Sequence, residues 1–190
     1  MADTIRTESD LLTNLFQDGQ AANAITEQDV RDLIVSMRPG FGESAMQANA
    51  IATTISVAGT YYKAAGTTAL SGSEYLFDDD SATSNRLRYT GAPEKLVVCT
   101  AACSFSCASN NQQISFKAYL YDDSGASGAV IDDSLVTQFV QSTSDTMSVT
   151  LAFHAHMANN DYIEIHATNE TSTATVTLVD LSFHAMAYIK

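Results

Sequence analysis

With 190 residues, 45% of them apolar, the chain is long enough to bury the core of one large domain, and 22 acidic against 9 basic residues leave it at a formal −13. That charge excludes nucleic acid as a direct partner, because a phosphate backbone needs a basic footprint and the densest basic stretch, "NRLRY", is only two arginines. It argues equally against an anionic membrane. No apolar run is long enough to span a bilayer and the start "MADTIRTESD" is polar, so we expect a soluble protein without a signal peptide.

Taken in chain order, the first elements read as helices. In "TESDLLTNLFQDG", Leu11, Leu12, Leu15 and Phe16 recur at helical spacing behind the capping residues Thr7 and Ser9, and Gly19 ends the run. In "ITEQDVRDLIVSMRPG", Thr26 and Asp29 have capping-box spacing, Val30, Leu33, Ile34 and Met37 share one face, and Pro39-Gly40 ends the helix. Residues 1–38 thus predict a short helical hairpin. Its apolar stripes are too small to form a core, so Leu11, Leu15, Phe16, Val30, Leu33, Ile34 and Met37 are candidate docking or assembly residues. Its loop has Ala22 and Asn23 where a calcium-binding loop needs an oxygen ligand and a sharp-turn glycine. The stretch "GFGESAMQANA" has no clear period, and residues 39–50 read as a linker.

From about Ile51 the texture changes to β-branched, Ser/Thr-rich segments between turn clusters such as "DDDSATSN", "ASNNQ", "DDSGASG" and "MANND". The segments "KLVVCTAACSFSC", "ISFKAYLY", "MSVTLAFHAHM", "YIEIHAT" and "VDLSFHAMAYIK" read as strands. Many short strands with regular turns predict a mainly β fold, an antiparallel sandwich or barrel over residues 51–190. A period of two puts Ile114, Phe116, Ala118 and Leu120 on one face, as it does Met147 to Met157, Ile163, Ile165 and Ala167, and Phe183, Ala185, Ala187 and Ile189. These sets are the expected core.

Three of the four histidines fall in "LAFHAHMANNDYIEIH". His154 and His156 lie roughly 7 Å apart on one face of a strand, within reach of one zinc, and His166 could join them from a neighbouring strand. No acid or cysteine is spaced to complete that set, so we expect no metal and no cofactor. Cys99, Cys103 and Cys107 share one strand face about 13 Å apart, too far for a disulfide, and read as buried core thiols made in a reducing cytoplasm. The acidic pairs and triplets at Asp78–Asp80, Asp122-Asp123 and Asp132-Asp133 sit in turns, where aspartate stabilises tight backbone geometry. No phosphate loop, nucleophile elbow or paired-carboxylate motif is present, and no catalytic residue is assigned.

Two stretches carry a resemblance. "NNDYIEIH", through Asp161, Ile163 and Ile165, and "LSFHAMAYIK", through Phe183, Ala185 and Ile189, resemble paired strands of complement-globular-head and tumour-necrosis-factor-like jelly rolls, with Asn160 in place of the usual glycine. "DLLTNLFQDGQAANAITEQDVRDLIVSM" resembles the opening segment of many tailed-bacteriophage virion proteins: head-decoration, head-fibre and tail-fibre proteins with trimeric jelly-roll ends. The matching residues are Leu11, Leu12, Leu15, Phe16, Ile25, Thr26, Asp29, Val30, Arg31, Asp32, Leu33 and Ile34. The resemblance implies an antiparallel jelly-roll sandwich in a homotrimeric virion protein. Its partners would be the major capsid protein or another virion component, and its location the virion after assembly in the host cytoplasm. The implied role is capsid decoration (cement) or head fibre, and a tail-fibre tip that binds a receptor or host surface glycan is the alternative. The resembled trimers pack one sheet's outward face around a threefold axis, which makes Tyr162, His166, His184, Met186 and Tyr188 the expected interface.

Overall fold

The computed structural model describes residues 4–7, 10–15, 25–70, 74–79, 85–123 and 128–188. The N-terminal region contains a π-helical turn at Leu11–Leu15 and helix α1 at Glu27–Met37. Phe16 lies outside the described residues, as does Ile189 at the other end. Helix α1 begins with the expected capping box: Thr26 Oγ1 accepts from the Asp29 N–H at 3.2 Å, and the Asp29 carboxylate accepts from the Thr26 N–H at 2.8 Å.

The helix presents its polar side inward. Asp32 and Ser36 are buried, and the Asp32 carboxylate accepts from the Thr4 N–H, Arg6 Nε and Gln28 Nε2 at 2.7–2.9 Å. The Thr4 N–H and these side chains hold the Asp32 pKa below the ordinary carboxylate value. Ser36 Oγ accepts from the Arg6 N–H at 2.7 Å, and Lys95 Nζ donates to the Ser36 carbonyl at 3.4 Å. That ammonium meets one of the carbonyls left unpaired at the end of the helix, where a cation is favoured. The apolar stripe faces away from the sandwich: Val30 is 44% exposed, Ile34 63% and Met37 58%.

The strands are β1 (Gly40–Met46), β2 (Tyr62–Lys63), β3 (Ala69–Leu70), β4 (Phe77–Asp78), β5 (Leu87–Tyr89), β6 (Lys95–Cys107), β7 (Gln112–Tyr121), β8 (Gly128–Val130), β9 (Val136–Val140), β10 (Met147–Met157), β11 (Tyr162–Asn169) and β12 (Val176–Tyr188). One sheet has the order β10-β6-β12-β1-β3 and the other β4-β5-β11-β7-β8, with β2 on β11 and β9 on β7. All pairings are antiparallel, and the non-consecutive neighbours are those of a jelly-roll sandwich.

The core lies between the sheets, and the long strands fill it as their alternation predicts. Val97, Cys99, Ala101, Cys103 and Phe105 of β6, with Leu151, Phe153, Phe183 and Ala185, face Ile114, Phe116, Ala118, Ile163 and Ile165. Phe105 and Phe116 meet edge to face at 4.8 Å, and each fully buried ring contributes roughly 2–3 kcal/mol by area removed from water.

One correction concerns residues 39–50, read as a linker. Gly40–Met46 is a strand of the first sheet, paired along its full length with β12 from Gly40↔Ala187 to Met46↔Leu181. Its core-facing positions are Gly40, Gly42, Ser44 and Met46, so only the last carries a bulky side chain and no period of two is visible in the sequence. A Cβ on Gly42 would lie 2.6 Å from Phe77, so this small position lets the Phe77 ring close the core. Asn160 explains its own departure from glycine. It sits at φ +69°, in the left-handed region that asparagine tolerates, and its N–H bonds the Tyr89 carbonyl at 2.7 Å.

Candidate functional site

The strand registers define the outer face of the five-stranded sheet row by row. From one end, the rows across β10, β6, β12 and β1 are His156–Leu96–Tyr188, His154–Val98–Met186–Phe41, Ala152–Thr100–His184–Glu43, Thr150–Ala102–Ser182–Ala45 and Ser148–Ser104–Asp180. Five rows contain no lysine or arginine, and the only carboxylates are Glu43 and Asp180. Val98, Met186 and Tyr188 are each at least 40% exposed, which gives one end of the face an apolar surface. The other end is a shallow groove of about 720 Å³ floored by small residues, among them Ala45, Ala102, Thr150 and Ser182. Asp180 closes it, bonded to Ser104 Oγ at 2.6 Å and the Ala48 N–H at 2.9 Å beside the β12 irregularity between Leu178 and Asp180.

The histidines of this face are spent on separate partners. His154 Nδ1 lies 3.0 Å from Asp133, His156 Nδ1 lies 3.3 Å from Glu94, and His184 Nε2 lies 2.8 Å from Ser182 Oγ. His166 belongs to the other sheet and cannot complete a site with His154 and His156. Among the described residues, no three His, Cys, Asp or Glu side chains converge on a metal position. The Ser182–His184 contact lies on an open strand surface. Glu43 approaches the same Nε2 at 4.0 Å, and among the described residues no side chain is bonded to Nδ1, so the pair lacks the oriented base that activates a serine.

The expected interface is divided by the fold. His184, Met186 and Tyr188 share the face just described, whereas Tyr162 and His166 stand on β11, on the opposite outer surface of the sandwich. A period of two assigns a residue to one side of its strand but does not say which sheet holds the strand. Tyr162 and His166 are moreover buried, as is every residue of β11.

What buries them is a second constellation, on the outer face of the other sheet. Glu164, 3% exposed, accepts from Lys63 Nζ at 2.7 Å, Arg86 Nε at 2.7 Å and His166 Nε2 at 3.1 Å. Burial alone would raise the Glu164 pKa, but the hydrogen bonds from His166, Lys63 and Arg86 outweigh it and hold the carboxyl down at about 2. Around this centre the rings stack. Tyr121 lies parallel to Tyr162 at 5.1 Å, Tyr119 lies on His166 at 4.1 Å, the Arg86 guanidinium covers Tyr162 at 4.0 Å and Lys117 Nζ sits 4.8 Å over Tyr61. His166 Nδ1 and Thr168 Oγ1, both buried on this side of β11, have no hydrogen-bond partner among the described residues. The sequence carried one signal for this cluster: Glu164 and His166 interrupt an otherwise apolar strand in "YIEIH".

This is an antiparallel jelly roll of the tumour-necrosis-factor type. No family model matches the chain, and no curated protein sequence does. Among solved structures, it superposes on Eiger TNF from S. frugiperda with a TM-score of 0.53 and 8% identity, covering 80% of this chain and 94% of that one. Murine APRIL at pH 5.0 gives 0.52 and 8% identity, with 80% and 99% covered. At these identities the likeness is one of fold.

Proposed function

We propose that the chain is a structural protein of a tailed-phage virion, a homotrimer that sits on the capsid as a decoration (cement) or head-fibre protein. The observation that carries this reading is the outer face of the five-stranded sheet, four strands wide, free of lysine and arginine, and apolar at Val98, Met186 and Tyr188 on a chain of net charge −13. Charge depletion with exposed aromatic and methionine side chains is the composition of a subunit interface. Threefold symmetry comes from the resemblance to trimeric jelly rolls, and the virion from the N-terminal pattern. The exposed stripe of Val30, Ile34 and Met37, with half-buried Leu33 beside it, would bind the major capsid protein or another virion component; Leu11, expected in the same stripe, is buried instead and is not available for docking. The domain is a binding and assembly module, not an enzyme.

Antibody labelling of assembled particles from the encoding phage tests the reading, with labels expected over the whole capsid for the intact chain and lost on deleting residues 1–38. Labels absent from particles overturn it. Labels at tail tips favour the second reading, a receptor-binding tip, which the tyrosine-rich face around Glu164 supports. Light scattering tests the interface: Tyr188→Asp or His184→Asp places an unpaired charge in a desolvated contact and should convert trimer to monomer. A monomeric wild type, or a trimer indifferent to both substitutions, removes the sheet face from the proposal.

A further inference from the structure

We infer that the outer face of β7 and β11, around Tyr119, Tyr121, Lys117 and His166, is a binding site for a neutral glycan. The inference rests on a host-facing role for this surface and not on head or tail placement. Its first ground is rigidity. Tyr121 is held between the parallel Tyr162 ring and Gly128, where a Cβ would lie 2.4 Å from the Tyr121 ring, and Tyr119 is held on His166. The conformational entropy of these side chains is already lost before any ligand arrives, which lowers the cost of binding.

The second ground is chemical. The ring faces are consumed by one another, by Arg86 and by Lys117, so the face offers ring edges and half-exposed tyrosines in place of an open apolar pocket. An apolar peptide has nowhere to bury its side chains. A polyanion is disfavoured too. Of the four cations here, Lys63 and Arg86 already bind Glu164, and the chain as a whole carries a net charge of −13. Among the described residues, the Lys117 ammonium makes no ion pair or hydrogen bond and lies over the Tyr61 ring, which leaves its N–H groups able to donate to a ligand.

The third ground is the pair of orphaned atoms. His166 Nδ1 and Thr168 Oγ1 are buried, unpartnered and two residues apart on the side of β11 that faces this surface, and His166 lies opposite Lys117 in register. Buried polar atoms are rarely left unpaired. Lys117, the cross-strand neighbour of His166, is the side chain whose movement would admit a hydroxyl to His166 Nδ1, and Thr168 stands two residues further along, opposite Ser115. A ligand whose groups each donate and accept matches this mixture of tyrosine hydroxyls, one amine and two orphans, and a neutral saccharide is such a ligand.

The test uses the intact chain on an array of neutral, sialylated and sulfated glycans, followed by calorimetry with the best neutral hit. Tyr119→Phe keeps the stack but deletes the hydroxyl and should weaken binding about fivefold, and Lys117→Met about tenfold or more. Both variants should keep the wild-type melting temperature and trimer mass. Tyr188→Phe, on the other sheet, should bind as wild type. No binding to any neutral glycan, binding confined to acidic glycans or to a protein receptor, or neutral binding untouched by both variants each overturns the inference. None of these outcomes bears on the particle-labelling result.

Discussion

Replacing Glu164 by Gln removes one charge from the centre of the second sheet's outer face and changes little else. The amide keeps the volume and one acceptor, but Lys63 and Arg86, whose Nζ and Nε each lie 2.7 Å from the carboxylate, lose their counter-charge. Breaking a buried ion pair costs about 3–5 kcal/mol. Here the cations are 29% and 21% exposed and regain part of their solvation, which brings the cost to about 2–3 kcal/mol. The titration gives a second route to the same figure. A carboxyl held at about 2 in the fold against an ordinary value near 4.3 corresponds to about 3 kcal/mol. For a domain of this length that is a fall in Tm of about 6–10 °C at neutral pH. The depressed pKa also fixes the sign of the pH dependence. The contribution is fully present above about pH 4.3 and is lost as pH falls towards 2, so the gap between wild type and Glu164→Gln should close over that window. Thermal melts of both proteins at equal concentration across this range are the assay. A gap below about 2 °C at neutral pH, or one that persists unchanged at pH 2, would refute the reasoning.

Gly42→Ala forces a Cβ to within 2.6 Å of Phe77 and should cost about 1–3 kcal/mol in urea unfolding, whereas Ala45→Gly in the same strand should cost less than about 1 kcal/mol. The cysteines should be unreactive in the native state. All three are buried, and burial pushes the Cys103 thiol up to about 12 and Cys99 higher still, so a thiol reagent at pH 8 should label none of them until denaturant is added. Rapid stoichiometric labelling of the folded protein would contradict the packing of β6.

The long strands were legible because their core-facing positions carry Val, Ile, Leu, Phe and Cys, which make a period of two visible in "KLVVCTAACSFSC" or "MSVTLAFHAHM". β1 was not legible because its inner side runs Gly40, Gly42 and Ser44 before the single bulky Met46. The two-residue strands β2, β3 and β4 are too short to show any period. For α1 the cap and the stripe could be read, but not the direction in which the stripe points, because Arg6 and Thr4 recruit the opposite, polar face through Asp32 and Ser36. The Glu164 cluster draws Lys63, Arg86, Tyr119 and His166 from four separate stretches of chain. No local spacing announces such a convergence, and only the pairing of β11 with β2, β5 and β7 creates it.

The place of β12 in its sheet has a consequence for synthesis. It lies between β6 and β1, both of which leave the ribosome long before it does. Until β12 emerges, each offers a long open edge that can pair with a neighbouring nascent chain as readily as with its own missing strand. Closure therefore depends on a late, distant segment, and a topology dominated by such separations folds slowly. Conditions that delay β12, such as a translational stall or a nonsense codon within it, should release an aggregating species with two unpaired half-sheets. Slower growth at lower temperature should raise the yield of folded protein more than any substitution on its surface.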